Sequence, residues 1–128
     1  MNKLLEQAIA MKDEIISYRR TIHNNPEVGT ELPKTKAYVM DKLREFGYEP
    51  KEICESGIVA TIEGSKSGKT FLLRADMDAL PMAEATGLDF KSNNGSMHSC
   101  GHDMHTAMLL GAAKLLKQNQ NEIEGTVK

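Results

Sequence analysis

The sequence predicts an α/β fold in which helices cover a sheet. Two segments near the start repeat their apolar residues with the period of a helix, and short β-type runs follow between residues 58 and 73. An apolar helix and the opening of a further strand come near the end of the chain. Helices that alternate with strands in this way are typical of layered α/β domains. A length of 128 residues fits one such domain with its own core.

Two helices are predicted in the first 47 residues. Apolar side chains recur there at intervals of four and three residues, which places on one helical face Leu4, Ala8, Met11, Ile15, Tyr18 and Ile22. We predict one long helix from this pattern, and Pro26 ends it because the residue before a proline avoids helical angles. A second helix is predicted to begin near Pro33 and to end at Gly47, which are typical residues for a first turn and a C-terminal cap.

The middle of the chain changes to a β-type pattern. Residues 58–62 and 70–73 are short apolar runs rich in β-branched or aromatic residues, and a Gly-, Ser- and Lys-containing turn separates them. We predict a hairpin, or at least two neighbouring strands. The turn resembles a phosphate-binding loop, but three residues rather than four separate its glycines and a strand follows instead of a helix. A nucleotide site is therefore not predicted.

The last third of the chain is expected to be a loop followed by a buried helix. Residues 76–96 are mixed in character and punctuated by Gly, Asn and Pro, which predicts irregular structure. Residues 106–117 are apolar around most of a helical circumference, so this helix should be largely buried. Residues 125–128 look like a strand that has only begun, from which we expect the chain to be part of a longer protein.

Composition narrows the class of protein. The net charge of −2, with Lys and Arg dispersed along the chain, gives no electrostatic basis for a nucleic-acid or anionic-membrane partner. No stretch approaches the roughly 20 apolar residues of a membrane span, and the first residues lack the apolar core of a signal peptide. Two cysteines do not make a disulfide framework. These features predict a cytoplasmic protein.

A cluster of metal-ligand residue types dominates the functional interpretation. Three of the four histidines and one of the two cysteines fall within eight residues, at His98, Cys100, His102 and His105. Thiolate, neutral imidazole and carboxylate are the groups that bind transition metals in proteins. We predict Cys100 and His102 as metal ligands, because residues two apart in an extended loop point the same way. The roles of His98 and His105 stay open, and Asp103 is expected to cap the following helix.

A second polar segment follows the predicted strand that ends at residue 73. Asp76 and Asp78 share one face by the strand period of two, at the end of a strand where α/β sheets place their sites. Their carboxylates can hold a ligating imidazole in one tautomer or bind metal directly. A turn in which Asp78 caps a short helical segment is the alternative, and the histidine cluster favours the site. Arg74 is expected to pair with these carboxylates, and Cys54 to be a small half-buried residue.

Three blocks of sequence together resemble a known enzyme family. They are Arg19-Arg20-x-x-His23-x-x-Pro26-Glu27, Arg74-Ala75-Asp76-Met77-Asp78-Ala79-Leu80-Pro81 and Met97-His98-x-Cys100-Gly101-His102-Asp103-x-His105-Thr106-Ala107. Their order resembles the amidohydrolase branch of the aminoacylase and carboxypeptidase metallopeptidases. That branch includes hippurate hydrolases, N-acyl-amino-acid amidohydrolases, auxin-conjugate hydrolases and N-acetyl-diaminopimelate deacetylases.

The resemblance implies more than the residue pattern does. It implies a three-layer α/β/α zinc-peptidase-like catalytic domain, of which residues 1–128 form the N-terminal part, with the lid or dimerisation domain absent from this chain. Cys100 and His102 would bind a pair of divalent metal ions (Zn, Mn, Co or Ni), and Asp76 and Asp78 would support catalysis. The catalytic Glu pair and the remaining ligands would come after Lys128.

The implied reaction is hydrolysis of the amide bond of a small N-acyl amino acid by a metal-activated water. The complete protein would carry it out, with homo-oligomerisation possible, and the fragment alone is expected to be inactive. Two other readings stay open. In one, His98 and His105 complete a closed, non-catalytic metal module with Cys100 and His102, although four ligands in eight residues would be cramped. In the other, Cys100 is a nucleophilic thiol activated by a nearby histidine.

Overall fold

The computed structural model describes residues 2–128, which form four α-helices and five short strands. The helices are α1 (Lys3–Ala10), α2 (Lys12–Asn24), α3 (Pro33–Glu45) and α4 (His102–Gln118). The strands are β1 (Lys51–Ile53), β2 (Gly57–Val59), β3 (Ile62–Glu63), β4 (Lys66–Phe71) and β5 (Glu124–Val127). A single 3-10 turn, Gln120–Glu122, precedes β5. This order of elements agrees with the predicted α/β class.

The predicted first helix is two helices that meet at Met11. The backbone of Met11 lies at φ −87° and ψ 4°, outside the helical region, although its N–H still reaches the carbonyls of Gln7 and Ala8 at 3.2 Å. Met11 is itself buried, so the interruption lies where the chain enters the core. The prediction of one continuous helix was wrong, because a shared apolar period does not reveal a local change in ψ. The predicted stop before Pro26 is confirmed, since α2 ends at Asn24.

The third helix follows its predicted boundaries closely. Pro33 is its first residue, and Gly47 beyond its end adopts a positive φ of 90°. The Gly47 N–H donates to the Arg44 carbonyl at 2.9 Å, and the Tyr48 N–H donates to the Leu43 carbonyl at 3.0 Å. These two bonds satisfy carbonyls that a helix end leaves free.

The strands pair in an order that the sequence did not predict. β1 and β2 form a two-stranded antiparallel sheet, with Glu52 opposite Ile58. In the second sheet, β5 lies between β3 and β4, antiparallel to the first and parallel to the second. The hairpin predicted between residues 58–62 and 70–73 is therefore wrong, because a strand from the end of the chain occupies the place between them. The phosphate-loop interpretation stays excluded, since a strand and not a helix follows the first glycine.

The core forms where α2, α3 and α4 meet the sheets. Its buried side chains are Tyr18, Ile22, Val39, Leu43, Tyr48, Ile62, Ala107 and Leu110. The Tyr48 hydroxyl reaches the carbonyl of Ala113 at 2.8 Å, which gives the one polar end of this side chain a partner inside α4. Burial raises the pKa of Tyr48 to about 12. The core thus fixes α4, the helix that carries the histidine cluster.

The segment between β4 and α4 is irregular, as predicted. Within it, Leu80 and Met97 form an isolated antiparallel bridge, and Ala79 bridges to Val28. Cys54 differs from expectation, because it is exposed and adopts a positive φ of 50° instead of being half-buried. Among the helices of residues 2–128, none is both long and apolar enough to cross a membrane.

Candidate metal centre

Helix α4 begins at the histidine cluster. Gly101 precedes it with φ 90°, a left-handed angle that glycine adopts without strain, and His102 is the first helical residue. Cys100 lies in the turn before Gly101, where its thiol is free and exposed. The expected extended loop is therefore absent from residues 100–102, and the predicted reason for Cys100 and His102 to point the same way does not hold. His105 lies one turn into the helix, as expected.

Asp76 joins the two helical histidines in a compact group. Its Oδ1 lies 2.9 Å from Nδ1 of His105, and its Oδ2 lies 3.7 Å from Nε2 of His102. The two imidazole rings stack with their centroids 5.6 Å apart. The hydrogen bond with His105 holds the pKa of Asp76 below its ordinary value, and the nearby His102 and Arg74 lower it further. Arg74 contacts the same carboxylate at 3.1 Å, as predicted.

Asp78 acts on His102 from the other side of the ring. Nδ1 of His102 lies 2.9 Å from the Asp78 carboxylate and 3.0 Å from the Asp78 carbonyl. Two acceptors at one nitrogen favour a proton on Nδ1, which leaves Nε2 with its lone pair directed away from Asp78. The Thr106 hydroxyl also donates to the Asp76 carbonyl at 2.7 Å, so α4 holds the segment of both aspartates.

The donor set fits a divalent metal ion. Within residues 2–128, the one group of three or more His, Cys, Asp or Glu side chains with ligand atoms all within 4.8 Å consists of Asp76, His102 and His105. Imidazole and carboxylate ligands suit zinc, manganese, cobalt and nickel. Of the predicted ligands, His102 belongs to this group and Cys100 does not. His105, whose role the sequence left open, does belong to it.

Asp103 does not cap α4 as predicted. Its side chain makes no capping hydrogen bond and is fully buried against α2. There Asp103 Oδ2 lies 2.6 Å from Nε of Arg19 and 2.7 Å from Nδ1 of His23. Nε2 of His23 lies 3.0 Å from Oε1 of Glu84, a carboxylate whose side chain has no exposed surface. We refer to Arg19, His23, Glu84 and Asp103 as the His23 cluster.

This cluster was not predicted from the sequence, in which His23 lies in a motif with no assigned role and Glu84 lies outside the motifs. The available signal was the four-residue spacing of Arg19 and His23, which places both side chains on one face of α2. That spacing does not reveal which carboxylates the two basic side chains meet, because Glu84 and Asp103 lie far away in sequence.

Glu84 is held in its charged form by its surroundings. Burial alone would raise its pKa, but hydrogen bonds from Thr86, His23 and the Ser92 N–H outweigh burial and lower the pKa of Glu84 to about 2. An ionised carboxylate without solvent needs such partners. The cluster therefore keeps the Glu84 carboxylate ionised without contact with solvent.

His98 lies outside the metal-ligand group. Its side chain is 3% exposed, and its ring centroid lies 6.4 Å from that of His23. Neither ring nitrogen has a hydrogen-bond partner among the described residues, and burial lowers the pKa of His98. The closed four-residue module of His98, Cys100, His102 and His105 is accordingly not formed in the described part of the chain.

Comparison with known proteins places these features in a family. Residues 72–128 match the model of peptidase family M20/M25/M40. The chain is 46% identical over 131 residues to thermostable carboxypeptidase 1 of Saccharolobus solfataricus, which covers 100% of this chain and 33% of that protein. It is 46% identical over 121 residues to the hippurate hydrolase of Campylobacter jejuni, with 92% of this chain and 32% of that protein covered.

A solved structure agrees with the sequence comparisons. A Bacillus subtilis protein described as a dinuclear metal-binding peptidase from the M20 family superposes with a TM-score of 0.85 at 40% identity, over 92% of this chain and 34% of that chain. The fold class predicted from sequence is thereby confirmed. The chain spans about a third of the length of the curated relatives it matches.

Proposed function

The chain belongs to the M20/M25/M40 peptidase family, and on that premise we propose that the complete protein is a metal-dependent amidohydrolase. Its substrates would be small N-acyl amino acids, from which it removes the acyl group by hydrolysing the amide bond. The observation that carries the proposal is the convergence of Asp76, His102 and His105, with Asp78 bonded to the far nitrogen of His102. A hippurate hydrolase among the relatives supports this substrate class.

We propose two divalent metal ions for the complete protein, as in the dinuclear Bacillus relative. Asp76, His102 and His105 are the residues of this chain whose ligand atoms already lie together, and Cys100 stays a proposed further ligand because its free thiol lies two residues before His102. A bound divalent ion would lower the pKa of its water ligand and would polarise the amide carbonyl of the substrate. Ligands beyond those named here are expected in the part of the protein that lies outside residues 1–128.

The side chains around the proposed metal ligands would hold those ligands in position before substrate binds. Asp78 keeps the proton of His102 on Nδ1, so that Nε2 is the nitrogen available to a metal ion. Arg74 restrains the Asp76 carboxylate, and Thr106 anchors the Asp76 backbone to α4. Groups fixed in this way avoid reorganisation when substrate binds. In this proposal Asp78 keeps the supporting role that the sequence predicted, and Asp76 is a metal ligand, the other role that the sequence left open for these carboxylates.

The proposal is tested by the release of free amino acid from a panel of N-acetyl and N-benzoyl amino acids. The complete protein is expected to hydrolyse at least one of them, to lose activity on chelation, and to regain it when Zn²⁺, Mn²⁺, Co²⁺ or Ni²⁺ is added back. Asp78→Asn should reduce turnover, whereas Asp89→Asn at an exposed loop position should not. Turnover that survives complete metal removal would refute the metal-dependent assignment and revive thiol catalysis by Cys100.

A further inference from the structure

Two segments supply the candidate metal centre, and one buried histidine bonds to both of them. Asp76 and Asp78 come from the irregular segment after β4, whereas His102 and His105 come from the start of α4. His23 projects from α2 with 2% of its surface exposed. Through Nδ1 it contacts Asp103, the residue next to His102, and through Nε2 it contacts Glu84 in the irregular segment.

The hydrogen bonds of His23 are shielded from water. Asp103 and Glu84 have side-chain exposures of 1% and 0%, so water does not compete for their oxygens. Hydrogen bonds to ionised groups are shorter and roughly twice as strong as those between neutral groups. Arg19 adds a second bond to the same oxygen of Asp103 at 2.6 Å. The first turn of α4 is therefore held to α2 by directional bonds.

We propose that His23 is a positioning residue for the metal centre. By bonding Asp103 with one nitrogen and Glu84 with the other, it sets the start of α4 against the segment that carries the two aspartates. The inference rests on the proposed function, because it concerns the geometry of the same metal ligands. His23 itself lies outside the group that can bind the ion. Partners that orient metal ligands from behind change metal affinity by about 10–100-fold when they are lost.

Two substitutions separate the two nitrogens of His23. The side-chain nitrogen of Asn lies as many bonds from Cβ as Nδ1 of His, and that of Gln lies as many bonds away as Nε2. His23→Asn therefore keeps a donor for Asp103, whereas His23→Gln keeps one for Glu84 and loses Asp103. We expect His23→Gln to weaken Co²⁺ binding by about 10-fold, the low end of the range for residues that bond metal ligands directly, because His23 acts through Asp103 and Glu84. His23→Asn loses the Glu84 bond instead and should weaken Co²⁺ binding as well, because the proposed bridge needs both bonds.

Another ion pair between the same two helices provides the matched control. Lys114 on α4 contacts Glu14 on α2 at 2.6 and 2.7 Å, away from the metal centre. Glu14→Gln removes charge from that pair and should lower the thermal unfolding midpoint without changing Co²⁺ affinity. The visible absorption spectrum of the Co²⁺ form is the second readout, since it reports ligand geometry. It should shift in His23→Gln and stay unchanged in Glu14→Gln.

The outcomes distinguish the two proposals. Co²⁺ binding by the complete protein, with unchanged affinity and spectrum in His23→Gln, would overturn the positioning role and leave the proposed function intact. Equal losses in His23→Gln and Glu14→Gln would also overturn it, since general destabilisation would then explain both. Failure of the unmodified protein to bind Co²⁺ would overturn both proposals. If His23→Gln does not fold, Asp103→Leu removes the acceptor of the same bond, and unchanged Co²⁺ affinity in that variant would overturn the role.

Discussion

The tautomer of His102 depends on two oxygens of Asp78, both of which lie within hydrogen-bond distance of its Nδ1. A histidine alone presents either nitrogen to a metal ion, and the choice is set by what the other nitrogen contacts. Here the Asp78 carboxylate and carbonyl, at 2.9 and 3.0 Å, both select Nδ1–H. The pairing of one of the two aspartates with an imidazole was expected from the sequence. The partner could not be predicted, because 24 residues separate Asp78 from His102.

Asp78→Ala is expected to weaken Zn²⁺ binding by about 10–100-fold, because His102 loses the group that fixes its tautomer and orientation. Isothermal titration of the complete protein with Zn²⁺ measures the change. Asp89→Ala, an exposed substitution in the same irregular segment, is the control and should bind Zn²⁺ normally. An Asp78→Ala protein with unchanged affinity would show that His102 does not need this partner.

Glu84 should make the protein sensitive to acid. Its pKa is lowered from 4.5 to about 2 in the fold, so its contribution to stability is full above pH 4.5 and is lost as the pH falls towards 2. In Glu84→Gln, we expect a lower free energy of unfolding at neutral pH and a flatter decline between these two pH values. Urea unfolding at a series of pH values tests this. Glu31→Gln, a substitution at an exposed position, is the control. If the unfolding free energy of Glu84→Gln falls with pH as steeply as that of the unmodified protein, Glu84 is not the source of the acid sensitivity.

At the scale of elements, helices were predicted better than strand pairing. The end of α2 and both ends of α3 follow from Pro26, Pro33 and Gly47, which act within a few residues. The position of β5 between β3 and β4 depends on contacts across more than 50 residues, and no local pattern encodes it. The burial of Asp103 is missed for the same reason, since its partners lie on α2.

The place of β5 depends on a glycine at its second residue. Gly125 has φ 90°, and a Cβ there would lie 2.1 Å from the Lys69 carbonyl oxygen. Gly29 has φ 75°, but a Cβ there would meet nothing within 4 Å. Gly29→Ala should therefore cost about 1–2 kcal/mol from its left-handed backbone alone. Gly125→Ala should cost clearly more, because β4 and β5 must also separate.

Urea unfolding of the two glycine variants measures this difference. Both variants carry the cost of an alanine at a left-handed φ. The difference between their losses of unfolding free energy therefore measures the steric contact between β4 and β5. Equal losses of unfolding free energy in Gly29→Ala and Gly125→Ala would mean that the strands tolerate a methyl group, and that the close approach of the two backbones does not limit the sheet.

At the scale of the whole molecule, metal binding should be linked to folding. The ligand group joins α4 to the segment after β4, so an ion bound there favours the folded state over the unfolded chain. At a free metal concentration 100 times the dissociation constant, the gain is about 2.7 kcal/mol. Zn²⁺ should raise the thermal midpoint of the complete protein, and this rise should vanish in His102→Ala. An equal rise in His102→Ala would place the stabilising ion elsewhere.

The metal content of the purified complete protein, measured by elemental mass spectrometry, tests the central claim most directly. The unmodified protein is compared with Cys100→Ser and His102→Ala. The account predicts two equivalents of divalent metal per chain, falling in both variants together with hydrolysis of N-acyl amino acids. A protein that hydrolyses these substrates without bound metal, or variants that keep their full metal content, would contradict it.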